Sequence, residues 1–340
     1  MYTQTAPQES LSPDQTPLER LSVLLDEDMK AVNALILQYM DSQVALIPQL
    51  ARYLIAAGGK RIRPLLTLGA TIMFDPKQRE KTYYLSAAVE FIHTATLLHD
   101  DVVDESLERR GKKAANLVFG NQASVLVGDF LFSKSFQLMV ESGSLDVLRI
   151  LSDAAAVIAQ GEVLQLGTTN DIETDLSAYT KVIESKTAAL FAASCEVGPT
   201  LCGAEPEQIE ALRLYGMKLG TAFQVIDDAL DYSADQQKLG KEIGDDFREG
   251  KMTAPVIFAL KKASVEDRAF WERTLGRKEQ EDGDFEKALN LLQHQGALDQ
   301  SVDLAWRYAR EAQKCLDALP ESNMKSIFHE LAEYTISRNF

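Results

Sequence analysis

Cysteine is scarce in this chain. Cys195, Cys202 and Cys315 are an odd three with no metal-type spacing, which argues against a disulfide framework and a thiolate zinc site. Proline and glycine are sparse as well, 10 and 19 among 340 residues, which disfavours a turn-rich β architecture. Strand-type alternation is almost absent. Basic charge is short: 35 Lys and Arg against 51 Asp and Glu leave a net charge of −16, the wrong sign for a nucleic-acid partner. No run of 18 apolar residues is present, so no membrane anchor is expected. The opening Met-Tyr-Thr-Gln-Thr-Ala-Pro-Gln-Glu has neither the basic segment nor the apolar core of a signal peptide. A cytoplasmic enzyme with reduced thiols is the expectation.

What the chain does have is apolar residues at helical spacing. Leu21, Leu24, Leu25, Met29, Val32, Leu35 and Ile36 recur at intervals of three and four. The same pattern predicts helices over 44–57, 64–74, 80–99, 114–140, 145–166, 176–202, 206–232 and 252–262. It predicts three more over 284–295, 298–319 and 322–338. Segment 263–283 is charged and reads as a solvated connection or a surface excursion. Residues 1–16, rich in Gln, Thr, Ser and Pro, read as a flexible arm. No linker divides the remainder, so 17–340 is expected to form one all-helical domain.

Two acidic motifs stand out: Asp100-Asp101-Val102-Val103-Asp104 and Asp227-Asp228-Ala229-Leu230-Asp231. Each ends an apolar run. On a helix, positions i, i+1 and i+4 fall on one side, so each motif is expected to project three carboxylates from one helix end. Clustered carboxylates repel unless something positive lies between them. Hard oxygen ligands around an open space suit Mg²⁺ shared with a substrate phosphate.

Cations accompany these acids. Gly58-Gly59-Lys60-Arg61-Ile62-Arg63-Pro64 puts three cations at a helix start, fit to grip a diphosphate or simply to form a solvated loop. Arg109-Arg110-Gly111 follows the first motif directly, and guanidinium forks suit phosphate. His93 lies two turns before Asp100 on the same face, as a core residue or a site residue; His99 lies off that face and reads as structural. Lys186-Thr187 is a polar break in a helix rich in Ala and Leu, while Lys241 and Lys251 follow the second motif. Taken singly, each of these lysines reads as surface rather than site.

Together, two DDxxD motifs, the GGKRIRP loop and the RRG segment resemble the trans-polyprenyl diphosphate synthase family over essentially the whole chain. Phe91 to Ser106 and Gly120 to Asp129 are most similar to its bacterial long-chain branch, the octaprenyl and decaprenyl diphosphate synthases. The resemblance implies an all-α bundle of long helices around a deep central cavity, acting as a homodimer. It implies that Asp100, Asp104 and Asp227 coordinate Mg²⁺, with Asp101, Asp228 and Asp231 supporting or sharing metals, three ions in all. Arg109, Lys186, Thr187, Gln224 and Lys241 would then hold an allylic diphosphate, farnesyl or geranylgeranyl. Lys60, Arg63, His93 and Arg110 would bind isopentenyl diphosphate. The lipid product implies transient contact with a membrane surface.

Ala95 and Thr96 lie five and four residues before Asp100, about one helical turn of 5.4 Å below it. An aromatic there would floor the cavity in a short-chain member of the family. Small residues leave a tunnel, so a C40–C50 product for a quinone side chain is expected, with Phe132, Phe136 and Met139 as candidates for a deeper floor. The alternatives are a short-chain synthase or a non-catalytic subunit of a heteromeric one; the latter typically lacks one acidic motif, and both are here.

Overall fold

The computed structural model describes residues 15–56, 58–109, 111–233 and 243–337. The proposed arm therefore lies almost wholly outside the described residues. Helix α1 (Pro17–Leu24) starts where Thr16 and Glu19 cap each other's backbone N–H groups. It is followed by α2 (Asp26–Tyr39), α3 (Leu46–Ala56), α4 (Ile62–Phe74), α5 (Arg79–Val103), α6 (Ala115–Phe119), α7 (Asn121–Glu141) and α8 (Leu145–Thr168). Then come α9 (Leu176–Ile183), α10 (Ala189–Cys202) and α11 (Pro206–Leu230), with further helices to Ser337. The only described strands are a two-residue hairpin, Glu108–Arg109 against Lys112–Lys113.

The two longest helices carry the acidic motifs at their C-terminal ends. Helix α5 packs on α4 and α7, and α11 packs on α10 and on the helix Ala297–Cys315. Leu85, Val89 and Ile92 from α5, Leu131 and Leu138 from α7, and Phe191 and Leu219 from α10 and α11 share one buried core. Apolar residues at three-and-four spacing leave helices no other way to shed water, which is why the periodicity located them so well. Truncating Ile92, which is fully buried, to Ala would cost roughly 2–5 kcal/mol.

Several expectations are corrected. The stretch 114–140 breaks at Gly120, whose φ of +86° suits only a residue without a β-carbon. Segment 263–283 is no solvated connection: it forms a helix, Val265–Trp271, and a π turn, Glu272–Gly276, burying Phe270, Trp271 and Leu275 in a satellite core. Its charges sit on the outer face of that unit. One described helix, α7, is long and apolar enough to cross a bilayer by length and composition. Its Val127, Leu131, Leu138 and Met139 are instead committed to the core. Gly128 admits the ring of His99 so closely that a β-carbon would stand 2.3 Å from Nε2.

Candidate active site

Carboxylates at the end of α5 face the negative pole of their own helix as well as each other, so they require cations. The fold supplies one apiece. Lys186 Nζ lies 3.5 Å from Asp100, and Lys251 Nζ lies 3.4 Å from Asp104. Arg109 donates to Asp101 Oδ1 through Nε at 2.9 Å and Nη2 at 2.5 Å. The three acids thus do not project to one side as expected. Adjacent helical residues point about 100° apart, so Asp101 turns inward, buried against the hairpin, while its carbonyl accepts from Asn116 at 2.9 Å. Burial raises the Asp100 pKa, and the nearby Lys186 only partly offsets this.

The second motif divides in the same way. Asp227 is exposed, whereas Asp228 is buried and accepts from the Tyr179 hydroxyl at 2.6 Å and Gln224 Nε2 at 2.7 Å. Even with these donors, burial pushes Asp228 up to about 7. Asp231, at the end of α11, accepts three backbone N–H groups, from Gly244 at 3.2 Å, Asp245 at 3.3 Å and Asp246 at 3.0 Å. Burial nevertheless raises it to about 6. Asp246, held beside both, is raised well above the usual range by burial and by the charges of Asp228 and Asp231.

Lys186 and Thr187 ride on a single π-helical turn, Glu184–Ala188, between α9 and α10. Such turns disrupt the regular ladder and re-aim side chains. Thr187 Oγ1 donates to Gln224 Oε1 at 2.9 Å, so Thr187, Gln224, Asp228 and Tyr179 form one connected network. Lys186 also contacts Glu162 of α8, at 2.7 Å. A cleft lined by Gln165, Tyr179, Lys186, Gln224, Asp228 and Lys251 among others opens at this end of the bundle.

In the basic loop the three cations separate. Lys60 is exposed, Arg63 lays its guanidinium 4.3 Å from the centre of the Phe191 ring, and Arg61 turns away to pair with buried Glu90 of α5. Arg61 adopts a left-handed backbone, φ 49°, as it enters α4. That geometry separates it from the other two and corrects the expectation that all three meet. His93 is half-buried one turn beyond Glu90, while Ala95 is buried and Thr96 half-buried, its hydroxyl bonded to the His93 carbonyl at 2.8 Å. Among the candidate floor residues Met139 is buried, but Phe136 is exposed. Arg110 and Lys241 lie outside the described residues.

Glu162, Tyr179, Asp246 and Lys251 belong to this assembly without having been singled out as site residues from the sequence. Lys251 was visible only as a cation after the second motif, and the others carried no local signal. Among the described residues no three acidic, His or Cys side chains are already gathered around one point as a metal cage. The donor set still fits a divalent cation. It is made of hard oxygens, and two of its carboxylates, the buried Asp228 and the half-buried Asp231, sit where ionisation is penalised until positive charge arrives.

Comparison with known proteins agrees in sequence and shape. The polyprenyl synthetase family model matches residues 44–292. The chain belongs to the polyprenyl synthetase family. It is 44% identical over 324 residues to the octaprenyl diphosphate synthase of Escherichia coli, covering 95% of this chain and 99% of that one. A polyprenyl synthase from Caulobacter crescentus, solved in complex with calcium and isoprenyl diphosphate, superposes with a TM-score of 0.91 at 48% identity, covering 98% and 100% of the two chains. A decaprenyl diphosphate synthase from Rhodobacter capsulatus gives a TM-score of 0.89, also at 48% identity, over 95% and 99%. The all-helical prenyl synthase fold expected from the sequence is the fold observed.

Proposed function

We propose that this polyprenyl synthetase is a long-chain, all-trans enzyme that adds isopentenyl diphosphate units to a farnesyl or geranylgeranyl primer, giving a C40–C50 diphosphate for a quinone side chain. The observation that carries this reading is the pairing of each carboxylate of the first motif with its own cation. Acids and cations in that arrangement match a diphosphate and the metal ions bound with it.

Asp100, Asp104 and Asp227 would hold Mg²⁺ directly, three ions with substrate in place, with Asp101, Asp228 and Asp231 supporting them. Bound there, Mg²⁺ supplies neutralisation of the diphosphate as its bond to C1 breaks. Lys186, Lys251 and Arg109, released from the acids, turn their charge to the departing diphosphate, joined by Thr187, Gln224 and Lys241. The basic loop, through Lys60 and Arg63 with His93 and Arg110, holds the isopentenyl diphosphate beside it. The allylic cation is sheltered from water by the apolar interior while the isopentenyl double bond attacks C1. Loss of a proton then completes a chain five carbons longer, with the departed diphosphate as the acceptor of that proton.

Apolar side chains left exposed on α7 and α8, among them Leu126 (67%) and Val163 (70%), favour a homodimer as the working form. In this reading the protein works in the cytoplasm, touching a membrane only to hand over its lipid product. Incorporation of labelled isopentenyl diphosphate into butanol-extractable product, with and without Mg²⁺, tests the reaction. Incorporation only with both the metal and an allylic primer is expected; incorporation without a primer would contradict it.

A further inference from the structure

Glu162 is a carboxylate at this cleft that neither acidic motif supplies. Its Oε2 accepts from Lys186 Nζ at 2.7 Å, closer than the 3.5 Å that separates the same ammonium from Asp100. The contact depends on a close approach of two helices. A β-carbon on the preceding residue, Gly161, would stand 2.7 Å from the backbone nitrogen of Lys186 and 2.8 Å from Cβ of Ser185. Only glycine lets α8 press against the π turn, and that contact brings the next side chain, Glu162, beside the ammonium. Among the described residues, the charged groups acting most strongly on Lys186 are Asp100, Glu162 and Asp104. Two of those three stand in the first acidic motif and would be drawn to a bound cation. Glu162 is then the anion left to Lys186.

We infer that Glu162 is a positioning residue: it tethers the Lys186 ammonium at the edge of the cleft, aimed at the allylic diphosphate, once Asp100 no longer holds it. This role rests on the reaction proposed above. A lysine stem has four rotatable bonds, and an untethered ammonium at the rim would spend much of its time in solvent. Glu162 does not itself touch the substrate in this role.

The test is a double-mutant cycle between Glu162→Gln and Lys186→Met, with melting temperatures as the control for folding. Two readouts are taken: the KM for each substrate, and calorimetric binding of a non-ionisable allylic thiolodiphosphate in the presence of Mg²⁺. Glu162→Gln is expected to raise the allylic KM and weaken analogue binding about tenfold, the scale of one charge-assisted hydrogen bond, with the isopentenyl KM changed less than twofold. In the Lys186→Met background it is expected to add nothing, and Glu162→Asp is expected to recover part of the loss. Equal changes in both KM values, or additive effects in the double mutant, would overturn the role. If wild-type protein binds the analogue and Glu162→Gln binds it equally well, this inference alone fails. If wild-type protein binds no analogue, the proposed reaction fails and this role falls with it.

Discussion

Lys251 Nζ stands 3.4 Å from Asp104 Oδ2, a partner 147 positions earlier in the chain. The same ammonium pairs with Glu249 and lies 4.0 Å from Asp246. One side chain thus ties the end of the first acidic motif to the segment that follows the second. Lys251→Met would leave these acids without that cation. The unfolding free energy of the metal-free protein is expected to fall by on the order of 3 kcal/mol, with part regained when Mg²⁺ and diphosphate are added. Denaturant titration with and without both ligands measures this; an unchanged midpoint would contradict it.

Tyr179→Phe removes the 2.6 Å donor to Asp228 and leaves Gln224 as its remaining side-chain donor among the described residues. An unsatisfied buried acceptor costs about 1–3 kcal/mol. The lost bond favoured the ionised carboxylate, so its removal also raises the Asp228 pKa further. The Mg²⁺ concentration giving half-maximal activity is expected to rise severalfold at pH 7, with the gap narrowing at pH 8.5. A gap independent of pH would show that the hydroxyl does not act through Asp228.

Protons are expected to compete with metal for the second motif. Burial raises Asp228 to about 7 and Asp231 to about 6, against ordinary carboxylate values of 3.8. The native protein therefore holds protons that the unfolded chain has already released. These two groups contribute stability that is full below the unfolded pKa and lost as pH rises through 6 and 7. Divalent-cation binding has the opposite dependence, since it needs the ionised acids. Calcium titrations at pH 6.5 in buffers of differing ionisation enthalpy are expected to register proton release, with affinity rising from pH 6 to pH 8. Affinity flat across that range would contradict the account.

Thr96 is the cleaner probe of chain length. Its neighbour Ala95 is buried in the core, where a large substituent would overpack the helix interface. Thr96 is only half-buried. Thr96→Phe is expected to shorten the product to C15–C20 with the melting temperature little changed. An unaltered product would place the length control elsewhere.

Most helices were legible because burial imposes a period that a sequence cannot hide. The breaks at Gly120 and within 263–283 were not, since a broken helix and a charged helix keep the same composition. The acidic motifs and the GGKRIRP loop were legible as chemistry, but their directions were not. Asp101 and Arg61 turn away from their neighbours because of a helical angle and a left-handed residue. Glu162, Tyr179 and Lys251 owe their places to partners far along the chain, Lys186, Asp228 and Asp104. No local pattern encodes such meetings; only the packing of α8, the π turn and α11 brings them about.

Thr96, small and half-buried below the first motif, is expected to leave room for a long chain. Purified protein, Mg²⁺, farnesyl diphosphate and labelled isopentenyl diphosphate, followed by dephosphorylation and chromatographic sizing, test it directly. A dominant band between C40 and C50 is the predicted result. Arrest at C15 or C20 would contradict it.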